Sequence, residues 1–275
     1  MKKITTMILA LALITICVNS QSVTDLKKQF EDCFKKEDYS CAEKTIEKLI
    51  KKEKDSKVLA FYYVNLGTAQ RRQEKYEEAL KSYTKAIEYN MRLTFAYTNR
   101  ATLYQNLGKI PEALKDYELA LLIDPVNETA LLDRAVLYKG TDQLDLAQKD
   151  LELLIENNPK NYQARANLAN IKKRLGKVEE ALSDVNQLIT EQPNEPILHN
   201  NKADYLMTLK HYDEALKEVE TSIALDSKYV MAHVTKGEVL LELGKTEEAN
   251  KEFDIAVSLG FSKSDLDKVI LNHKK

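Results

Sequence analysis

The sequence predicts an all-α solenoid of stacked helix hairpins, about seven of them, closed by one further helix. Three observations predict it. Alanine recurs at one fixed interval, at Ala79, Ala113, Ala147, Ala181, Ala215 and Ala249, each 34 residues after the last. Pro125, Pro159 and Pro193 keep the same step. Glycines and prolines are otherwise few, while charges of both signs are many. A 34-residue period is too long for one helix and too short for a domain, but it fits one helix–turn–helix unit of an array.

The other columns of the repeat agree. With Ala60 as position 1, tyrosines pair at position 4 (Tyr63, Tyr97), position 11 (Tyr104, Tyr138) and position 24 (Tyr83, Tyr117). Position 8 is small throughout: Gly67, Ala101, Ala135, Ala169, Ala203 and Gly237. Small residues at 8 and 20 let two helices approach, and large ones at 4, 11 and 24 fill the space around them. The turn between helices reads Leu107-Gly108-Lys109, Leu175-Gly176-Lys177 and Leu243-Gly244-Lys245. Glycine there accepts the left-handed backbone that ends a helix. Pro111 falls in the first turn of its second helix, where no amide hydrogen is needed. The prolines at position 32 stop the second helices.

These columns resemble the tetratricopeptide repeat family. Leu66-Gly67, Ala79, Tyr83 and Ala86 carry the pattern in one copy, and Ala101, Tyr104, Ala113, Tyr117, Ala120 and Pro125 in the next. Six full copies cover 60–263. Residues 21–59 hold a degenerate first repeat, with Tyr39, Ala42 and Leu49 in place, and a Lys-rich linker, Lys51–Lys57, carrying three extra residues. The resemblance implies a right-handed superhelix that binds other proteins and rarely catalyses. The copies depart from the family pattern in lacking tryptophan at position 4, in Ser227 where proline is usual, and in placing Gly140 two positions early.

Residues 264–275 are expected to cap the array. Ser264 and Asp267 have capping-box spacing. Leu266, Val269, Ile270 and His273 fall at i, i+3, i+4 and i+7 and give one apolar face for the body.

Residues 1–20 read as a signal peptide. Lys2-Lys3 precedes an apolar run from Ile4 to Val18 that is too short to span a bilayer comfortably, and Val18 and Ser20 suit cleavage before Gln21. The alternative is a lipoprotein anchored through Cys17, disfavoured by Ile16 where a small residue is expected. The segment resembles bacterial signals, notably those of the Bacteroidetes, so export to a periplasm or cell surface is expected. Cys33 and Cys41 then remain, either as a disulfide stapling the first hairpin or as two buried thiols.

The formal net charge is −2, or −4 once Lys2 and Lys3 are subtracted. That balance disfavours a nucleic-acid partner, which calls for a basic face. No Gly-x-Ser-x-Gly elbow, His-Glu-x-x-His or phosphate-cradling glycine loop occurs, so no enzyme and no cofactor are expected. His199 and His233 share position 4, a packing column, and stand in adjacent repeats too far apart to share a metal ion. Glu77-Glu78 and Glu247-Glu248 read as solvated helix-start charges.

Position 6 carries the functional expectation. It reads Asn65, Asn99, Asp133, Asn167, Asn201 and Thr235. In the family this position lines the concave groove, and the column is similar to the asparagine ladder of the repeat domain of O-linked N-acetylglucosamine transferase. An amide donates and accepts at once, so it can satisfy a peptide backbone without reading side chains. Asparagine is also common here in the family for packing alone. Arg71, Arg72, Lys139, Lys173 and Arg174 at positions 12 and 13 would rim the same face. Phe61, Phe95, Ile197 and Met231 at position 2 would offer apolar contacts. Position 5 carries no lysine, so the family's clamp for chaperone C-termini is not supported. The resulting expectation is a non-catalytic scaffold holding a peptide or protein partner. The alternative is a structural subunit of a bacterial envelope assembly or secretion complex.

Overall fold

The computed structural model describes residues 21–272, among which the chain forms fifteen α-helices. Residues 1–20, where a signal peptide or a Cys17 anchor is expected, and His273 lie outside the described residues. The fold is the all-α repeat solenoid of the sequence reading, and it divides at Ala130/Leu131 into two compact units. The first holds three hairpins: α1 Val23–Lys35 with α2 Tyr39–Lys52, α3 Ser56–Arg72 with α4 Tyr76–Tyr89, and α5 Thr94–Asn106 with α6 Ile110–Ile123. The second holds α7 Glu128–Gly140, α8 Leu144–Asn157, α9 Tyr162–Arg174, α10 Val178–Glu191, α11 Pro196–Thr208, α12 Tyr212–Leu225, α13 Val230–Glu242 and α14 Thr246–Ser258, then α15 Lys263–Asn272.

The small and large columns interlock as their sizes require. The alanines of position 20 are all fully buried, and so are Ala86 and Ala120 at position 27. Position 24 is buried in all six full copies: Tyr83, Tyr117, Leu151, Val185, Val219 and Phe253. The contact of 24 with 8 is closest where glycine stands. A Cβ on Gly67 would lie 2.7 Å from the Tyr83 ring, and one on Gly237 would lie 2.2 Å from the Phe253 ring.

Position 15 of every hairpin takes a left-handed backbone. Glycine supplies it at Gly108, Gly176 and Gly244, with φ of 70°, 80° and 75°. Glu37, Glu74, Asp142 and Lys210 adopt it elsewhere, with φ between 56° and 63°. The next amide then reaches back five residues, as Lys109 N does to Tyr104 O at 2.8 Å and Lys75 N to Gln70 O at 2.9 Å. In the six full copies this closes the first helix and starts the second without a side-chain cap, whereas in the first hairpin Asp38 accepts from the Cys41 amide at 2.9 Å.

Two boundaries differ from the sequence reading. The three extra residues do not make a long linker: α3 begins at Ser56, because Asp55 accepts hydrogen bonds from the Lys57 and Val58 amides and Leu59 is buried. The terminal helix begins at Lys263, so Ser262 precedes it and Asp265, three residues on, bonds the Ser262 side chain. Ser264 thus lies inside the helix instead of preceding it, and the Leu266 amide bonds the Ser262 carbonyl at 3.0 Å. Leu266, Val269 and Ile270 do pack on Leu240, Ala249 and Phe253 of the last hairpin.

A charged column runs through the hairpins. Arg100 meets Asp116 in a bidentate pair at 2.7 and 2.8 Å, and Arg134 meets Asp150 at 2.8 and 2.7 Å. Lys202–Glu218 at 2.7 Å and Lys236–Glu252 at 3.0 Å occupy the same positions, 7 and 23. The Arg100 guanidinium lies 6.0 Å from the ring centres of both Tyr97 and Tyr104, so tyrosines at 4 and 11 flank a cation as well as filling space. His199 and His233 join this column. His199 Nδ1 is 2.8 Å from Glu218 and His233 Nδ1 is 2.7 Å from Glu252, while the Nε2 atoms face the Pro193 and Ser227 carbonyls. They are buried, as a packing column requires, but they sit in a polar network. Among the described residues no cluster of His, Cys, Asp and Glu could hold a metal.

Cys33 and Cys41 are joined by a disulfide across the first hairpin, with Cα atoms 5.7 Å apart.

Two outcomes follow for stability. Gly176→Ala meets nothing within 4 Å and should lose only about 1 kcal/mol, from its left-handed backbone. Gly237→Ala must displace the Phe253 ring and should lose about 1–3 kcal/mol. Urea midpoints should rank them in that order. For acid stability, burial alone would lift the Glu218 and Glu252 carboxyls. Hydrogen bonds from Lys202 with His199, and from His233 with Lys236, outweigh it and hold both below 4.5. The unfolded chain therefore binds these protons first as pH falls. Their contribution is complete above the unfolded value and is lost as pH drops through the folded values. Glu252→Gln should flatten the fall in urea stability between about pH 5 and pH 3, and an unchanged slope would remove Glu252 from this account.

Candidate peptide-binding face

The first helices of successive hairpins lie side by side within each unit, α3 with α5, α9 with α11 and α11 with α13. Their positions 2 and 6 are one helical turn apart and share a face. In the first unit this face carries Phe61 and Phe95, 47% and 38% exposed, with ring centres 5.3 Å apart. Asn65 and Asn99 stand half-buried one turn on. Asn99 donates one amide hydrogen to Phe95 O at 2.7 Å. Asn65 makes no side-chain hydrogen bond among the described residues.

In the second unit the same face holds a concavity of about 370 Å³ across α7, α9 and α11. Asp133, Asn167 and Asn201 of position 6 line it, with Leu132, Tyr162 and Ile197. Asn167 is fixed from both ends: it donates to Gln163 O at 2.9 Å, and its oxygen accepts from Lys139 Nζ at 3.0 Å. One of its N–H groups is left over. Asn201 makes no side-chain hydrogen bond among the described residues. The Tyr162 hydroxyl in the wall is buried without a partner, and burial raises its pKa.

The rim is less uniform than the sequence suggests. Lys173 meets both oxygens of Asp204 at 2.9 Å. Arg174 binds Asp142 at 2.7 Å and the Lys139 carbonyl at 2.8 Å. Burial and the nearby Arg174 charge push the Lys139 ammonium down. In the second unit Asp204 and Asp142 therefore neutralise Lys173 and Arg174, while Lys139 binds the Asn167 amide. Arg71 and Arg72 of the first unit form no ion pair among the described residues. Arg72 lies 6.0 Å from the Tyr39 ring centre. The partners that neutralise Lys173 and Arg174 were not foreseen, and their only signal in sequence is a separation close to one repeat.

Models described as tetratricopeptide repeat match residues 60–90, 94–127, 132–196 and 200–261. The chain belongs to the tetratricopeptide repeat family. It is similar to a tetratricopeptide repeat protein of Parabacteroides merdae, with 30% identity, a TM-score of 0.77, and 93% of this chain and 100% of that one covered. It shares its fold with PilW, described as a type IV pilus biogenesis factor, at 16% identity and a TM-score of 0.66, covering 77% and 98%. It also shares it with YrrB, described as having an unusual peptide-binding site, at 21% identity and a TM-score of 0.50, covering 71% and 100%. Among curated proteins none matches. Scaffolding of protein–protein contacts is the general role of this repeat fold. No helix among the described residues is long and apolar enough to cross a membrane.

Proposed function

We propose that this tetratricopeptide repeat protein is an exported, non-catalytic scaffold in which the first-helix face of each unit, taken by itself, can hold an extended peptide segment of a partner. The observation that carries this is the grouping of Asn167 and Asn201 with Ile197 in one concavity. Asn65 and Asn99 repeat the arrangement beside two exposed phenylalanines. Amide groups offer a peptide backbone both donor and acceptor, while position 2 offers apolar contact for its side chains. Arg71 and Arg72 add charge to this surface, whereas Lys173 and Arg174 act mainly by holding neighbouring repeats together. Export rests on the Lys-led apolar segment at residues 1–20 and agrees with a Cys33–Cys41 bond, which belongs to oxidising compartments.

Each amide contact contributes on the order of 1 kcal/mol, so single substitutions fall within error. The quadruple variant Asn65→Ala/Asn99→Ala/Asn167→Ala/Asn201→Ala, with unchanged melting, should lose the partners that the parent captures by in-cell crosslinking. Capture of the same partners would leave the column a packing feature and favour the alternative of an envelope assembly subunit. Thiol titration of native protein purified without reductant should find neither Cys33 nor Cys41. Reduction should lower stability by about 2.5 kcal/mol for so short a loop. Two native thiols would exclude the bond.

A further inference from the structure

We infer that the first unit selects acidic peptides that carry a bulky apolar anchor, an inference that rests on the peptide-binding reading above. Positions 2, 5, 6, 9, 12 and 13 of α3 and α5 contain no carboxylate, but include Arg71 and Arg72. Neither arginine is neutralised by an ion pair among the described residues, in contrast to Lys173 and Arg174 of the second unit. The adjoining α1 adds Lys27 and Lys28 in the same register against one acid, Glu31. An anionic segment is therefore the charge complement of this face. Phe61 and Phe95 supply an exposed aromatic pair at the opposite end of the helices.

The two features set a spacing. Phe61 and Arg71 are ten residues apart on α3. That is about 15 Å along a helix rising ~1.5 Å per residue. An extended peptide advancing ~3.3 Å per residue covers the distance in four to five residues. The occupant is thus an extended segment of another protein, with a bulky apolar side chain and an Asp/Glu cluster four to five residues from it. Asn65 lies between the two features and is available to its backbone.

The test is fluorescence anisotropy of the purified chain with labelled dodecapeptides. One carries a Phe and an Asp-Glu-Asp run starting four residues later. The second replaces the run with Lys-Arg-Lys, and the third replaces Phe with Gly. The first should bind about tenfold or more tighter than either control, weakening with salt. Arg71→Glu/Arg72→Glu should reverse the preference in favour of the basic peptide, a gain that misfolding cannot produce. Phe61→Ser/Phe95→Ser should erase the difference between the Phe and Gly peptides. Equal binding of acidic and basic peptides, no binding of either, or tighter binding of a labelled oligothymidylate would overturn the inference. The crosslinking result for the quadruple asparagine variant separates the two readings. If that variant loses its partners while the peptides show no preference, the scaffold stands and only the acidic selectivity falls.

Discussion

The close approach of the two helices in each hairpin is the constraint on which the structure depends. In the six full copies it is possible only because position 8 is glycine or alanine and position 20 is alanine. Opposite Tyr83 and Phe253 of position 24 the facing residue has given up even its Cβ, while the copy that holds Tyr117 keeps Ala101. The left-handed residue at position 15 serves the same end, since it turns the chain within a few residues and satisfies the orphan carbonyls of the first helix. Four hairpins do this with a non-glycine residue. The position is thus enforced by packing on both sides of the turn and does not depend on glycine alone.

Such close helices leave little room for water between positions 7 and 23, yet several copies place opposite charges there. Burying an ion costs free energy unless its partner and its hydrogen bonds are well placed. The bidentate Arg100–Asp116 and Arg134–Asp150 pairs meet that condition, and the Tyr97 and Tyr104 rings complete the shell around Arg100. Later in the chain lysine replaces arginine, and His199 and His233 take up the second carboxylate oxygen. One network thus changes composition along the array while keeping its geometry.

The same accounting of charge separates the two candidate faces. In the second unit Lys173, Arg174 and Lys139 contact groups on neighbouring hairpins, leaving amides and apolar groups to face a partner. In the first unit Arg71 and Arg72 form no ion pair among the described residues, and two exposed phenylalanines stand at the other end of the same face. A column that reads alike through the whole sequence therefore has different chemistry in each unit.

The sequence by itself determined the period, the number of hairpins, the small and large columns, the turn positions and the family. These depend on interactions within one 34-residue unit, and side-chain size and backbone preference express them directly. It also placed Asn65, Asn99, Asn167 and Asn201 in one column. Only the tertiary structure decided which of their neighbours remain available. Lys173 with Asp204, Arg174 with Asp142 and Lys139 with Asn167 are separated by 31, 32 and 28 residues. Such pairs form when one hairpin stacks on the next, and their geometry is set by how far each helix advances and rotates. Residue type gives no measure of that displacement. The same holds for the start of α3, where a cap at Asp55 and the burial of Leu59 outweighed the lysine-rich composition of the segment.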